Sequence, residues 1–369
     1  LRLQRITFEN FRNHRSLSFE PSPGITLLYG LNGSGKTSIL EGIHFCALTK
    51  GFVSAADNEC LSFSQDYFLL NSTFIDESES DITVKVTYTK EKEKQIIVNN
   101  SDIKPFSRHI GRVPCITFSP QEIVIVNGAP AERRRFIDNA ICQTDRRYLD
   151  DLLAYRRILH QRNALLLQWY EQKRTHNETL SLWTEQLSRL AASIVYARIK
   201  FTAPFFYHFK ECYSRLSVNE APSIVYRSSL GKISTDISIE ELYALFVSKF
   251  QETEKQEIAR AQTMTGPHRD DLVFQLHEKE VKKYASQGQM RTFLICLKLS
   301  LHRFFSESLG EKPVCLLDDV FSELDASRCA DILGILETCG QTIITSAEKK
   351  EHSALTAVNI ESLKKTGAR

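Results

Sequence analysis

The chain has 369 residues, 42% hydrophobic and 25% charged, enough apolar material for about two or three packed domains and inconsistent with disorder throughout. Its formal net charge is only +2, so any surface for nucleic acid must come from uneven placement of charge, and no run reaches the roughly 20 apolar residues that span a bilayer. The opening LRLQRITFENF lacks the apolar core of a secretion signal, and the nine cysteines form no CxxC pair; a cytoplasmic chain with reduced, mostly buried thiols and no membrane partner is expected.

The first hundred residues read as strands. LRLQRITF, GITLLYG, YFLLNSTFI, DITVKVTYT and KQIIVNN alternate or run continuously in β-branched and aromatic residues, with Gly, Asn and Asp between them. One helix interrupts them from Lys36 to about Leu48, with Ile39, Leu40, Ile43 and Ala47 as its apolar face. VPCITFSP predicts one more strand. From Arg133 to about Arg215 there is no glycine, and the composition is helical. Tyr148, Leu152, Tyr155 and Leu159, then Trp183, Leu187, Leu190, Ile194, Ala197 and Phe201, recur at steps of three and four, which predicts two helices facing one another. Thr175 and Glu178 have the spacing of a capping box for the second. PSIVYR predicts a strand, IEELYALFVSKFQETEKQEIARA a helix, and DLVFQL, PVCLL and QTIITS further strands around the helix MRTFLICLKLSLHRFFSESL and another after ELDASR. The expected division is 1–127 and 261–369 as two parts of one α/β body, with a mainly helical insertion at 128–260.

Gly30, Gly35, Lys36 and Thr37 fit G-x-x-x-x-G-K-[ST] between a buried strand and a helix. Backbone amides along Gly30, Leu31, Asn32, Gly33, Ser34, Gly35, Lys36, Thr37 and Ser38 would then wrap phosphates, with Lys36 on the β- and γ-phosphates and the Thr37 hydroxyl on Mg²⁺. An acidic metal ligand is expected at the end of a second buried strand. Val314 to Leu317 lead into Asp318 and Asp319, the first placed for Mg²⁺ and the second for polarising a water. Farther along, Ser286, Gly288 and Gln289 precede a helix, whose N-terminus could receive a second anion. Arg133, Arg134, Arg135, Arg146, Arg147, Arg156 and Arg157 give the helical segment a basic excess; these either neutralise DNA phosphates or lie on a solvated face beside Glu132, Asp138, Asp150 and Asp151. Arg269 and His268, beside Asp270 and Asp271, read as tying parts of the fold together.

ASQGQMRT resembles the signature loop of the ABC-type ATPases, and SELD at 322–325 resembles their D-loop. Lys36 and Ser286 are 250 positions apart, farther than in transporter-type subunits, so the architecture resembles the SMC-like branch, an α/β P-loop head built from N- and C-terminal parts. FSPQEIVIVNGAPAERRRFID, LHQRNALL and TGPHRDDL are, within that branch, similar to the bacterial recombination mediators. That resemblance implies ATP and Mg²⁺ as ligands, a homodimer with ATP sandwiched between the glycine loop of one copy and the signature of the other, slow hydrolysis, and action on gapped DNA with RecR and RecO. It also puts Gln121 near the Q-loop, and Thr345 or Ser346 where ABC proteins carry a switch histidine. GFVSAADNE, with Val53, Ser54 and Ala56, lacks the arginine common there, and Met290 replaces a glutamine. A transporter ATP-binding subunit and a small-molecule kinase are the rival readings.

Overall fold

The computed structural model describes residues 1–52, 56–172, 178–217, 219–322 and 324–366, and the chain divides into two compact units. Residues 1–123, 211–218 and 291–369 make the first, and residues 124–210 and 219–290 the second.

Two sheets form the first unit. An antiparallel sheet runs in the order His14–Phe19, Arg2–Phe11, Tyr67–Ile75, Asp81–Thr89, Lys94–Val98 and Ser101–Asp102. Its strands alternate as one buried face requires: Val84, Val86 and Tyr88 point inward while Lys85 points out. A parallel sheet has the order Leu355–Asn359, Ile25–Tyr29, Thr342–Ser346, Val314–Leu317 and Cys115–Phe118. Here the inner strands are apolar without alternation because both faces are covered; every residue of Val314–Leu317 is buried.

Helix Lys36–Leu48 touches strands of both sheets. The expected one-sided apolar face is therefore too narrow: ten of its 13 residues are buried, Glu41 and His44 among them. Gly42 permits this close seat, since a Cβ there would lie 2.2 Å from the Phe8 ring. Phe11, Phe45 and Phe68 meet edge to face at centroid distances from 5.1 to 6.3 Å, joining the helix to the antiparallel sheet. Four strands among the described residues differ from the sequence expectation, two of them the two-residue pieces Ser101–Asp102 and Lys279–Glu280. His14–Phe19 is a hairpin return enabled by positive φ at Asn10 and Arg12, and Leu355–Asn359 is a half-exposed edge with little apolar signal.

The second unit is helical apart from a three-stranded sheet in the order Lys279–Glu280, Asp271–Leu276 and Pro222–Arg227. DLVFQL pairs with PSIVYR, and residues 261–290 fall in this unit. Helices Arg146–Gln172 and Glu178–Leu216 face one another antiparallel: Asp151 accepts from Ser193, Arg162 donates to Thr184, and Leu166 and Trp169 pack on Leu180. Of the expected cap for the second helix, Thr175 lies outside the described residues. Helix Ile239–Arg260 opens with a capping box in which Ser238 and Glu241 bond each other's backbone N–H. Seven of the nine cysteines are buried. No helix among the described residues is long and apolar enough to cross a membrane.

Candidate functional site

The parallel order sets the carboxyl ends of Ile25–Tyr29, Thr342–Ser346 and Val314–Leu317 side by side, the edge at which ligands sit in open α/β sheets. A cavity of about 770 Å³ opens there, and every residue lining it belongs to the first unit. Asn32, Gly33, Gly35, Lys36, Thr37 and Ser38 line it from the glycine loop, Gln121 from beyond the Cys115–Phe118 strand, and Asp318, Asp319 and Thr345 from the other strand ends. Leu31 stands 80% exposed at the loop crest.

Gly35 turns the chain into the helix at φ 101°, where an added Cβ would lie 2.5 Å from Asn13 Nδ2 and 2.6 Å from His14 Nε2. The same hairpin supports the loop: His14 Nε2–H donates to the Gly35 carbonyl at 3.0 Å. Lys36 Nζ donates to the carbonyls of Gly30 at 2.7 Å and Leu31 at 2.9 Å, so the loop curls around its own ammonium. Burial lowers the Lys36 pKa, opposed by the charges of Asp318 and Asp319. The Ser34 hydroxyl is buried with no hydrogen-bond partner among the described residues.

Asp318 Oδ1 accepts from Thr37 Oγ1 at 2.8 Å and from Thr345 Oγ1 at 2.7 Å. Thr345 Oγ1 in turn accepts from the Asp319 N–H at 2.9 Å. Of the two candidates on IITSAE, Thr345 thus meets the acidic pair, whereas Ser346 Oγ caps the Glu348 N–H. Asp319 is held at φ 48°, a backbone setting uncommon for a non-glycine residue. Burial raises its carboxyl pKa, with Asp318 adding to the rise and a hydrogen bond from Ser322 opposing it. Hydroxyl and carboxylate oxygens in this arrangement are hard donors of the kind Mg²⁺ takes, and the unpartnered Ser34 hydroxyl with the helix N-terminus suits an anion beside it.

Sequence reasoning passed over Arg12, Asn13 and Phe63, which also line the cavity. Arg12 grips the buried Glu41 through Nε and Nη2 at 2.7 and 3.0 Å and donates to the Glu59 carbonyl at 2.8 Å. Nothing in NFRN marks that role, because its partners are 29 and 47 residues away. Of the stretch lacking the common arginine, Val53 and Ser54 lie outside the described residues, as does Glu323 of SELD. Asp325 caps helix Ala326–Leu336 by accepting from the Arg328 N–H.

Ser286, Gly288 and Gln289 belong to the second unit. The Ser286 N–H donates to Gln289 Oε1 at 2.8 Å and the Gln289 N–H to Ser286 Oγ at 3.2 Å, a reciprocal cap on the 23-residue helix Gln287–Leu309. Ser286 and Gly288 are exposed, so this helix end is open to an incoming anion. Gln289 is also tied to Glu220 at 2.7 Å.

The candidate DNA-contacting arginines separate. Arg133 is buried in a bidentate pair with Asp271 at 2.8 and 2.9 Å and donates to the Gly128 carbonyl, so its guanidinium is not presented at the surface. Arg134 donates to the Asp270 carbonyl at 2.7 Å. Arg135 and Arg146 are exposed beside Glu132 and Asp150, and Arg147 is exposed as well. Around TGPHRDDL, His268 Nδ1 meets the Tyr155 hydroxyl at 2.6 Å, Arg269 donates to the Thr263 carbonyl at 3.0 Å, and Asp270 takes hydrogen bonds from Tyr226 and the Ser229 N–H. All these partners are in the second unit.

A parallel sheet carrying a glycine phosphate loop on one strand and paired aspartates on another, with an antiparallel sheet across the loop helix, is an ABC/SMC-like P-loop ATPase head. In keeping with that class, a family model described as an AAA domain matches residues 5–289. The chain belongs to the RecF family. It is 57% identical to the DNA replication and repair protein RecF of Chlorobium phaeovibrioides, over 95% of each chain, and 52% identical to that of Chlorobium luteolum, over 98% of each. Among solved structures, a RecF–ATP structure from the RecFOR pathway matches with a TM-score of 0.90 and 30% identity, covering 97% of this chain and 96% of that one. An Smc head bound to the C-terminal winged-helix domain of ScpA matches with a TM-score of 0.55 at 12% identity, over 97% and 95% of the two chains, a likeness of fold alone.

Proposed function

We propose that this chain is an ATP-dependent, DNA-binding recombination mediator that works as a head-to-head dimer in the cytoplasm, acting in DNA gap repair and RecA loading with RecR and RecO. The observation that carries the reading is the clamp on Asp318 between the hydroxyls of Thr37 and Thr345, beside a glycine loop whose Ser34 hydroxyl is buried and unpartnered. Solved relatives of the same family are named for ATP, which fits a triphosphate in this cavity.

Chain residues divide the work. Lys36 exchanges its two loop carbonyls for the β- and γ-phosphates, while amides from Gly30 to Ser38 and the helix N-terminus receive the remaining charge. Thr37 and Asp318 would hold Mg²⁺, which when bound neutralises phosphate charge. Asp319 orients and polarises the attacking water; its raised pKa makes it a readier proton acceptor than an ordinary carboxylate, and Gln121 and Thr345 stand by the same space. The exposed Ser286–Gln289 cap, with Gly288, closes over the γ-phosphate held by a second copy. ATP then strengthens dimerisation by linkage, and slow hydrolysis releases it. Exposed arginines such as Arg135, Arg146 and Arg147 suit sequence-independent DNA contact. No specific observation favours the transporter-subunit or kinase readings.

Sizing the purified protein with Mg²⁺ and ATP, using Asp319→Asn to slow turnover, tests this. A dimer that forms with ATP and is lost in Ser286→Arg supports it; a persistent monomer excludes the sandwich.

A further inference from the structure

A second cavity, of about 250 Å³, lies wholly within the helical unit, and its chemistry is unlike that of the nucleotide site. Four guanidinium groups line it, those of Arg134, Arg135, Arg156 and Arg198, against one carboxylate, Asp138. The buried Asp270 shares Arg198 at 3.9 Å, but Asp138 cannot neutralise the other three. Its Oδ1 already accepts from Arg198 at 2.8 Å and from the Tyr148 hydroxyl at 2.6 Å, leaving Arg156 3.6 Å from Oδ2. Arg134 spends its visible hydrogen bond on a neutral acceptor, the Asp270 carbonyl at 2.7 Å. Arg135, 65% exposed, leans on Glu132, and Arg156 is 60% exposed, so both can swing into the mouth.

The surroundings register the same imbalance. Burial lowers the Arg134 pKa and the nearby Arg198 charge lowers it further, against the opposing charges of Asp271, Asp270 and Asp138. Burial also holds His268, on the cavity wall, down to about 4, with the charges of Arg269, Arg134 and Arg162 adding to the effect. A buried Arg198 held between Asp138 and Asp270 and two exposed arginines at the rim thus present guanidinium groups at floor and mouth, and planar guanidinium forks match phosphate oxygens in pairs.

We propose that this cavity receives a phosphate group of DNA, with Arg134, Arg135 and Arg156 as its direct ligands and Arg198 as the fixed positive floor. The assignment rests on the DNA-binding reading above and narrows it to one place. Two sources present the same chemistry, a backbone phosphodiester and a 5′-terminal phosphate. Arg133 takes no part, being held by Asp271.

Fluorescence anisotropy with a gapped duplex, carrying either a 5′-phosphate or a 5′-hydroxyl at the gap and titrated across salt, tests the site in the full-length protein with ATP. Arg134→Gln/Arg156→Gln is compared with wild type and with Arg189→Gln, which removes an exposed charge paired with Glu185 outside the cavity. The double variant is expected to bind on the order of tenfold or more weakly, with the slope of log affinity against log salt reduced by about two. A loss on both duplexes assigns the backbone; a loss confined to the 5′-phosphate duplex assigns the end. If Arg134→Gln lowers the melting temperature, Arg135→Gln/Arg156→Gln, which alters only exposed side chains, takes its place. Affinity and slope equal to those of Arg189→Gln, the result if the cavity serves an acidic protein segment, overturn the assignment while leaving DNA binding intact. Absence of DNA binding in the wild type overturns the broader reading and this site with it.

Discussion

Thr37 donates its hydroxyl to the carboxylate of Asp318 at 2.8 Å, joining residues 281 positions apart. The contact links the first turn of the glycine-loop helix to the end of the Val314–Leu317 strand, and Thr345 completes it from the strand between. Asp318→Ala should therefore remove the acceptor of two hydroxyls and the metal's carboxylate together. ATP turnover is expected to fall by about 10²-fold or more, with nucleotide binding in the absence of Mg²⁺ far less affected. Steady-state turnover and nucleotide titration with and without Mg²⁺ check this, and equal losses in both would place Asp318 in a purely structural role.

Gly35 is constrained twice, by its φ of 101° and by the space that Asn13 and His14 fill. Gly35→Ala should destabilise the first unit by about 1–3 kcal/mol through backbone strain alone and displace the hairpin besides. Thermal unfolding reads the loss. Gly33→Ala is the comparison: its φ of 78° carries the strain, but nothing lies within 4 Å of an added Cβ, so it should cost less. Equal costs would show that the hairpin contact contributes nothing.

Two buried histidines make stability depend on pH. Burial holds both His44 and His302 down to about 4 from an ordinary value of 6.5. His302 must be neutral at Nε2, which accepts the Gly340 N–H at 3.1 Å. Between pH 6.5 and 4 the unfolded chain binds protons that the native state refuses, so stability is full above 6.5 and is lost as pH falls toward 4, by up to about 3 kcal/mol per histidine. Urea midpoints at pH 7.5, 6 and 5 should decline in that order. His302→Gln, which lacks the titration, should flatten part of the decline, and an unchanged slope would remove His302 from the account.

Arg162 and Glu257 form an ion pair at 2.6 Å with side chains 1% and 0% exposed. Arg162 also donates to Thr263 and Thr184, and Glu257 accepts from the Met264 N–H. Arg162→Met strands a buried carboxylate and is expected to cost about 3–5 kcal/mol, whereas Arg162→Met/Glu257→Gln should recover a substantial part. A double-mutant cycle by chemical denaturation measures the coupling; additive single effects would mean the pair is not coupled.

Much of the first unit was legible from short stretches. GLNGSGKTS carries its own turn chemistry, and four apolar residues before Asp318 and Asp319 announce a buried strand that ends in acid; both signals are local and need no partner. Alternation in DITVKVTYT likewise assigns a strand and its inner face, and the steps of three and four around Tyr148 and Leu187 pair two helices. What tertiary structure alone decided is which groups end up together. Helix Lys36–Leu48 is buried nearly all round because two sheets close on it, Thr345 rather than Ser346 reaches Asp318 because of strand register, and Arg133 goes to Asp271 while Arg156 stays half free. An arginine's charge and spacing are identical in either fate. The partner of Arg133 sits 138 residues away, and only the packing of whole elements brings that partner within reach.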